Sequence, residues 1–365
     1  MDLQVILTTN IKCNKLIGIY VAKFVQMQLC IFLHYLLAGC VKKRIFAENS
    51  KTMRKVIGIG ETVLDIIFRD GQPVHAVPGG STFNAIISLG RCGVQTSFIS
   101  ETGNDRVGRM IIQFLKDNGC QADCVNVYPD SKSPLSLAFL NERNDAEYIF
   151  YKDHPNDRLD FTYPDVQADD LVLFGSYYAL NPVIRPQVKG FLEYAHSRGA
   201  ILYYDVNFRA SHQHEVMKLT PNLLENFELA DIVRGSSEDF EILFKKDDPD
   251  VVYRSQIMFY TKKFIYTQGP KPIELRADAG LKKQYPVRPI QAVSTIGAGD
   301  NFNAGLLLGI IRQGITRSDF DRGLSEAQWD ALIESGQTFA AEVCSSLYNY
   351  VSTEFGKLQN ENLKL

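Results

Sequence analysis

The chain has 365 residues, of which 45% are hydrophobic and 22% are charged, and its formal net charge is −3. This is the composition of a globular protein with a large core, and it excludes binding to nucleic acid or to an anionic membrane through basic charge. The seven cysteines show neither a disulfide framework nor a zinc-binding spacing. We therefore expect small-molecule partners, with no nucleic acid and no membrane.

Residues 1–52 precede the first pattern that is typical of a globular core. The stretch 15–40 is apolar, but polar side chains interrupt it, and its longest clean run is shorter than the roughly 20 residues that span a bilayer. A signal peptide or membrane anchor is one interpretation. The other is that translation starts at Met53, directly before a predicted strand, so that residues 1–52 form a non-core extension of a cytoplasmic protein.

The predicted domain begins with a strand near residues 56–60 and an antiparallel hairpin near residues 61–78. The next stretch reads Pro-Gly-Gly-Ser-Thr-Phe-Asn, from Pro78 to Asn84. It leads into a helix that starts near Ser81, is rich in small and apolar residues, and ends near a Leu-Gly pair.

The middle of the chain alternates predicted strands and helices, and a second hairpin near residues 134–153 interrupts the alternation. We expect strands at 95–100, 125–127, 171–174, 201–206 and 264–267, and helices at 110–118 and 186–198. Almost fully apolar strands, such as 171–174, are typical of a parallel sheet that helices cover on both faces.

Three polar residues, Asp205, Asn207 and Arg209, stand two positions apart where the strand near residues 201–206 ends. Doubly wound sheets bind their ligands at the carboxyl ends of strands, so these residues form a candidate site. A polar strand end with a local salt bridge is the structural alternative.

Residues 297–300, Gly-Ala-Gly-Asp, precede a long apolar run with helical spacing. The small residues let successive N–H groups point outward, and the positive end of the following helix completes an anion cradle. Asp300 on the first turn can accept a proton from a hydroxyl that attacks a phosphate there, which suits phosphoryl transfer to an alcohol. An aspartate at such a turn can equally stabilise a helix start without any catalytic role.

Helical spacing continues towards the C-terminus. The expected helices are 302–313, 325–329 and 330–350, followed by a tail at 353–365. Neither an internal repeat nor a linker rich in Pro, Gly or Ser divides residues 54–352. We therefore expect one domain over this range.

Two signatures lie more than 200 positions apart in this domain. Pro-Gly-Gly-x-x-x-Asn at 78–84 and Gly-Ala-Gly-Asp-x-Phe-x-Ala-Gly at 297–305 resemble, in the same order, those of the ribokinase-like (PfkB-type) carbohydrate kinases. Asp-x-Asn-x-Arg at 205–209 resembles the motif of fructokinase-like and ketodeoxygluconate kinase-like members. The resemblance implies an α/β fold, namely a three-layer α/β/α core with a mostly parallel sheet and a small β lid made of the two hairpins. It also implies that the chain phosphorylates a sugar with ATP and Mg²⁺.

The resemblance also assigns roles to individual residues. Asp300 is expected to be the general base, and the backbone of Gly297, Ala298 and Gly299 is expected to stabilise the transferring phosphate. The expected sugar-binding residues are Asp65, Gly79, Gly80, Asn84, Tyr151, Lys152, Asn207 and Arg209. The expected nucleotide-binding residues are Ser236, Thr267 and Gly269, together with Gly297 and Gly299.

The chain departs from the family at its Asn-x-x-Glu motif, which helps to position magnesium and phosphate. Ser236 and Asp239 stand at these positions. Asp239 or its neighbour Glu238 is the expected metal ligand, although carboxylates at a helix start can also be surface residues. Many relatives have Asp and Thr where this chain has Ser294 and Ile296, so we do not expect potassium to activate it.

Lys152 bears on the choice of sugar. Ketose and keto-sugar-acid kinases often carry Tyr-Arg where this chain has Tyr151 and Lys152, and lysine lacks the two-pronged geometry that favours a carboxylate. We therefore expect fructokinase activity. The alternatives are a 2-keto-3-deoxygluconate kinase, a ribokinase, or a non-catalytic sugar-binding regulator with the same fold. Members of the family commonly dimerise through the lid, which makes a homodimer possible.

Overall fold

The computed structural model describes residues 54–140, 146–153 and 158–361. They form an α/β domain in which helices cover both faces of a mostly parallel sheet, which confirms the predicted fold class. The expected N-terminal extension, 1–52, and the turn of the second hairpin lie outside the described residues.

The strands fall into a large central sheet and a small second sheet. In chain order they are β1 (Lys55–Ile59), β2 (Val63–Arg69), β3 (Gln72–Gly79), β4 (Gln95–Gly103), β5 (Cys120–Gln121), β6 (Val125–Tyr128), β7 (Leu135–Leu140), β8 (Ala146–Tyr151), β9 (Leu171–Gly175), β10 (Ile201–Asp205), β11 (Ile232–Ser236), β12 (Phe264–Gln268), β13 (Lys271–Arg276) and β14 (Lys282–Tyr285). The central sheet has the order β14-β13-β12-β11-β10-β9-β1-β4-β5, with β6 beside β4. Its pairs are parallel except at the edge formed by β12, β13 and β14.

The helices connect the strands of the central sheet and cover it. They are α1 (Ser81–Arg91), α2 (Arg106–Asp117), α3 (Ser176–Leu180), α4 (Arg185–Ser197), α5 (Val216–Leu229), α6 (Ser237–Phe244), α7 (Pro249–Val252), α8 (Ala298–Arg312), α9 (Arg317–Arg322), α10 (Glu326–Cys344) and α11 (Thr353–Glu361). Successive strand residues pack into opposite layers, since Val56 belongs to the core around α1, α8 and α10, whereas Ile57 belongs to the core around α4, α5 and α6. Two-sided burial explains why these strands are apolar throughout.

The C-terminal helices differ from the prediction. A single helix, α10, replaces the two expected at 325–329 and 330–350, because Ser325 and Gln328 form a capping box at its start and no proline interrupts it before Cys344. It ends at Cys344, and residues 345–352 form a loop. The predicted tail contains α11, in which Gln359 accepts a hydrogen bond from Arg312. The domain therefore extends beyond residue 352.

The second sheet consists of the two predicted hairpins. β2 pairs with β3, and β7 with β8, in antiparallel fashion. A parallel pairing of β2 with β7 joins them into one sheet of order β3-β2-β7-β8, which we call the lid sheet. Strand alternation places Asp65 of β2 and Tyr148 of β8 among the residues that line a cavity beside it.

In the described part of the chain, no helix combines the length and the apolar composition that a bilayer crossing requires.

Candidate active site

The start of α8 lies where two cavities meet, and the residues of the Gly-Ala-Gly-Asp turn form it. Gly297 has φ 78°, and a Cβ atom there would lie 2.6 Å from the backbone oxygen of Asn349, so only glycine fits. The N–H groups of the first helical turn have no partner within the helix. An anion in the adjoining cavity can therefore accept their hydrogen bonds.

Asp300 lies on this first turn and lines both cavities. Its carboxylate accepts hydrogen bonds from Ser81 Oγ at 2.9 Å and from Asn84 Nδ2 at 2.8 Å. The pKa of Asp300 is raised to about 6, chiefly by burial and also by the charge of Asp205, although the hydrogen bond from Asn84 and the charge of Arg209 act in the opposite direction. Asp300 is therefore a buried base whose pKa lies near neutrality.

The turn before α1 brings these hydrogen-bond donors to Asp300. Gly80 has φ 131°, and a Cβ atom there would lie 2.1 Å from the backbone oxygen of Glu61. A Cβ atom at Gly79 would lie 2.2 Å from Asp65 Oδ2. Both glycines are therefore needed because the lid sheet approaches the helix start closely, which the sequence motif indicated without showing the neighbours.

Asp65 is the second buried carboxylate of this region. One of its oxygens accepts a hydrogen bond from Asn349 Nδ2 at 2.8 Å. Its pKa is raised to about 7, chiefly by burial and also by the charges of Asp300 and Glu61, while hydrogen bonds act in the opposite direction. The two predicted carboxylates thus lie in one electrostatic environment, in which each disfavours ionisation of the other.

The smaller cavity has a volume of about 90 Å³ and lies between the lid sheet and the starts of α1 and α8. The structure brings most of the predicted sugar-binding residues to it, namely Asp65, Gly80, Asn84, Lys152, Asn207 and Arg209. It also contains residues that the sequence did not single out, namely Ser81, Tyr148, Phe150, Tyr177, His212 and Asn349.

Tyr151 is not among the residues that line this cavity, and its side chain is 57% exposed. The reason is strand alternation, since Tyr148 and Phe150 of β8 and Lys152 directly after it point to the side that borders the cavity. The sequence already contained this signal, because on a strand residues two and four positions before Lys152, namely Phe150 and Tyr148, lie on the same face as Lys152. Phe150 and Tyr148, and not the predicted Tyr151, are therefore the aromatic residues of β8 that line this cavity.

Lys152 does not present a free charge to the smaller cavity. Its Nζ atom lies 2.5 Å from Glu61 Oε1, with the two side chains 25% and 23% exposed, and 5.0 Å from the centre of the Phe150 ring. Tyr177 and His212 stack nearby with ring centres 3.7 Å apart. This end of the cavity therefore combines a neutralised ion pair with aromatic faces.

The larger cavity has a volume of about 660 Å³ and lies on the other side of Asp300. Of the predicted residues, Asn207, Arg209, Ser236, Glu238, Asp239, Gly297, Gly299 and Asp300 line it. Thr267 and Gly269 are not among the residues that line either cavity, and Gly269 has φ 60° in the turn after β12. Thr267 contacts the site through Arg234 instead, because its Oγ1 accepts a hydrogen bond from Arg234 Nη2 at 2.7 Å.

Arg234 is a buried cation that the sequence analysis missed. Its Nη1 donates to Asp205 Oδ1 at 2.9 Å, and a Cβ atom at Gly299 would lie 3.0 Å from its Nη2. The guanidinium therefore packs against the first turn of α8, and it lines the larger cavity. The signal that could have identified it was a charged side chain directly after the apolar Ile232 and Val233 of β11.

The carboxylate of Asp239 is occupied by hydrogen bonds from the protein. Its Oδ2 accepts from Ser236 N at 2.6 Å and from Ser236 Oγ at 2.8 Å, and its Oδ1 accepts from Phe208 N at 2.6 Å. Ser236 and Asp239 thus form the capping box of α6. Glu238 is exposed at the edge of the larger cavity. No group of three or more His, Cys, Asp or Glu side chains within the described ranges is arranged to hold a metal ion.

Known proteins with similar sequences and structures are sugar kinases. Residues 53–354 match the pfkB family carbohydrate kinase. A probable chloroplastic fructokinase-6 of Arabidopsis thaliana is 25% identical over 282 residues, which are 73% of this chain and 73% of the relative. A 5-dehydro-2-deoxygluconokinase of Geobacillus thermodenitrificans is 28% identical over 247 residues, which are 64% of this chain and 72% of the relative.

A crystal structure of fructokinase from Vibrio cholerae, with bound fructose, ADP and calcium, has the same fold. It superposes with a TM-score of 0.70 at 20% identity and covers 82% of this chain and 96% of the other.

Proposed function

The chain belongs to the pfkB family of carbohydrate kinases, and we propose that it transfers the γ-phosphoryl group of ATP to a hydroxyl group of a neutral ketohexose, with fructose as the first candidate. The observation that carries this proposal is the position of Asp300, which is buried where the two cavities meet, beside a helix start that can bind an anion. A carboxylate between an alcohol site and a phosphate site is suited to accept the proton of the attacking hydroxyl.

In this proposal the sugar occupies the smaller cavity. Asp65 and Asn84 bind its hydroxyl groups, and Asp300 accepts the proton of the hydroxyl that attacks. The phosphates of ATP occupy the larger cavity, where the N–H groups at the start of α8 face them. Arg209 lines both cavities and can contact the phosphoryl group during its transfer.

Mg²⁺ fits the donor set of the larger cavity only in part. Because both oxygens of Asp239 already accept hydrogen bonds, Glu238 is the one of the two predicted carboxylates that remains to bind the ion, directly or through water. When bound, Mg²⁺ neutralises charge on the phosphate oxygens. Asp239 keeps an indirect role, because it fixes the start of α6 and with it the position of Glu238.

The preference for a neutral sugar is supported by the ion pair of Lys152 with Glu61. A lysine that is already paired offers less attraction to a substrate carboxylate, and the buried Asp65 and Asp300 repel one. Relatives named fructokinase agree with this choice. The relatives named 5-dehydro-2-deoxygluconokinase favour a sugar acid, which makes that activity the second candidate.

The test is ADP release by the purified full chain with ATP and Mg²⁺. The substrates are fructose, tagatose, ribose, 2-keto-3-deoxygluconate and 5-dehydro-2-deoxygluconate, each measured also with Asp300→Asn. Turnover that is highest with fructose and lost in the variant is the expected result. Turnover of only one of the acids would overturn the choice of substrate. Sugar binding without turnover would identify a regulator instead.

The proposal extends to assembly and location. We expect a cytoplasmic homodimer that associates through the lid sheet. Two features support it: Val74 and Ile149 of the lid sheet are 49% and 44% exposed, and Cys92, Cys120, Cys124 and Cys344 are free thiols, as in a reducing compartment. Sedimentation and cell fractionation test these expectations, and a monomer or a membrane-bound protein would contradict them.

A further inference from the structure

Asn349 connects the two parts of the site although it belongs to neither sequence signature. It lies in the loop between α10 and α11, is 1% exposed, and lines the smaller cavity. Its side chain and its backbone make different contacts. Nδ2 donates to Asp65 Oδ2, whereas the backbone oxygen accepts from Asn301 Nδ2 at 2.8 Å and packs against Gly297.

The side-chain oxygen of Asn349 has no donor. Oδ1 is buried, and no hydrogen-bond partner reaches it among the described residues. A buried acceptor without a donor costs about 1–3 kcal/mol, so such an atom in a cavity wall indicates that a ligand supplies the donor.

Asn84, which also lines the smaller cavity, has the same arrangement. Its Nδ2 donates to Asp300 Oδ2, and its Oδ1 is likewise buried without a partner. Each amide therefore holds one of the two buried carboxylates and leaves an acceptor free. Carboxylates and amide oxygens accept hydrogen bonds, so the cavity as a whole fits a molecule that presents several hydroxyl donors.

We propose that Asn349 is a sugar-binding residue whose Oδ1 accepts a hydroxyl group of the substrate while its Nδ2 holds Asp65 in position. This inference rests on the proposed function and defines the substrate class more closely. The substrate is a polyol with two neighbouring hydroxyl groups, one directed at Asp65 and one at Asn349. A carboxylate at this place would meet only acceptors and is excluded by repulsion.

A side-chain substitution separates this role from a structural one, because Asn349→Ala removes the amide and keeps the backbone contacts with Asn301 and Gly297. Binding and turnover are measured for fructose, tagatose and ribose, and then for monodeoxy derivatives of the sugar that binds most tightly. Tyr348→Ala is the matched control, since Tyr348 is the adjacent loop residue, is 50% exposed and is not among the residues that line the cavity.

We expect Asn349→Ala to raise the Kd and KM for the sugar roughly 10- to 100-fold, because the lost hydrogen bonds contribute about 1–3 kcal/mol. The KM for ATP should change less than about twofold. One monodeoxy derivative should bind weakly to the natural protein and suffer no further loss in Asn349→Ala. Tyr348→Ala should bind the sugar like the natural protein.

Equal losses for every derivative in both proteins, an equal change in the KM for ATP, or no sugar binding at all would overturn the inference. Weakened binding in Asn349→Ala without turnover by the natural protein would support the inference and refute the kinase. The two proposals can therefore fail separately.

Discussion

The two cavities that meet at Asp300 have opposite hydrogen-bonding character. Acceptors dominate the smaller one, since Asp65, Asp300 and the free oxygens of Asn84 and Asn349 belong to it. Arg209, Arg234 and the N–H groups at the start of α8 supply donors to the larger one, where Arg234 packs against Gly299. The smaller cavity suits a molecule that donates hydrogen bonds, and the larger one suits an anion that accepts them. Asp300 lines both cavities. This is the position that a base needs in order to accept a proton from a hydroxyl group in the smaller cavity that attacks a phosphate in the larger one.

This difference also has a cost for the protein. The buried carboxylates of the smaller cavity are raised in pKa, whereas Arg234 in the larger cavity is paired with Asp205. Ionised carboxylates in the smaller cavity therefore disfavour the folded state, and hydroxyl groups that donate hydrogen bonds to them would relieve part of this cost. In the larger cavity Arg234 is paired, and the carboxylate of Asp239, whose pKa burial also raises, accepts hydrogen bonds from Ser236 and Phe208.

Asp300→Asn changes the residue that lines both cavities, and it should reduce activity more than the other substitutions below. The amide has nearly the shape of the carboxylate but cannot accept the proton, so we expect kcat to fall roughly 10²- to 10⁴-fold. Binding of sugar and of ATP should persist, which equilibrium binding measurements check. A variant that retains more than about a tenth of the natural kcat would show that Asp300 is not the base.

The pH dependence of activity tests the character of the smaller cavity. Because the base must be ionised, and the pKa of Asp300 is about 6 and that of Asp65 about 7, kcat/KM should fall as the pH is lowered through this range. Below it the loss should be about tenfold per pH unit for each carboxylate that must be ionised. An activity that stays constant down to pH 5 would contradict the raised pKa values.

The same two carboxylates also make the stability of the fold depend on pH. Stability should fall as the pH rises, whereas activity should rise. A carboxyl whose pKa is raised by folding contributes stability below the ordinary range of aspartate and loses it as the pH rises through about 6 to 7. Asp65→Asn and Asp300→Asn should therefore gain stability relative to the natural protein at pH 8 and not at pH 4. Thermal unfolding of the ligand-free proteins at both pH values measures the difference. An equal effect at both values would mean that the substitutions act through packing.

Arg234→Lys tests the larger cavity alone. Lysine keeps the charge beside Asp205 and so avoids leaving a buried carboxylate unpaired, but it loses the second contact, with Thr267 Oγ1. We expect the KM for ATP to rise about tenfold, because the loss of one charge-assisted hydrogen bond has an effect of about this size. The KM for sugar should change less than about twofold. Thr267→Val, which removes the same contact from the other side, should act in the same direction. An equal change in both KM values would show that the two cavities are not separate.

The sequence predicted the glycine turns and the central carboxylate of this site better than the other side chains that line its cavities. Glycine at Gly80 and Gly297, and a carboxylate at Asp300, follow from local requirements that a motif records: a positive φ, a close approach, a helix start. The two hairpins and the parallel sheet follow from the spacing of apolar residues, which two-sided burial imposes along the chain.

The residues that sequence analysis missed depend on contacts between distant segments. Asn349 acquires its place only because the loop after α10 passes between β2 and α8, 284 residues along the chain from Asp65. The position of Arg234 in the strand was a signal in the sequence, but its partner Asp205 is visible only in the structure, where the two pair across neighbouring strands. The sequence shows a carboxylate at the expected position, Asp239. It does not show that this carboxylate accepts a hydrogen bond from the backbone of Phe208, a contact that no local pattern reveals.

Glu61→Gln should have the smallest effect on the natural reaction and the clearest effect on selectivity. The substitution keeps the side-chain length but frees Lys152, which now lies 2.5 Å from the carboxylate. For a neutral sugar we expect a change in KM of no more than a few-fold, because partly exposed ion pairs contribute about 0–1 kcal/mol. For a sugar acid such as 5-dehydro-2-deoxygluconate the released cation should lower the KM severalfold, and Lys152→Met provides the matched control that lacks it. If Lys152→Met instead abolishes turnover of the natural substrate, the lysine already binds a carboxylate, and the smaller cavity belongs to a sugar-acid kinase.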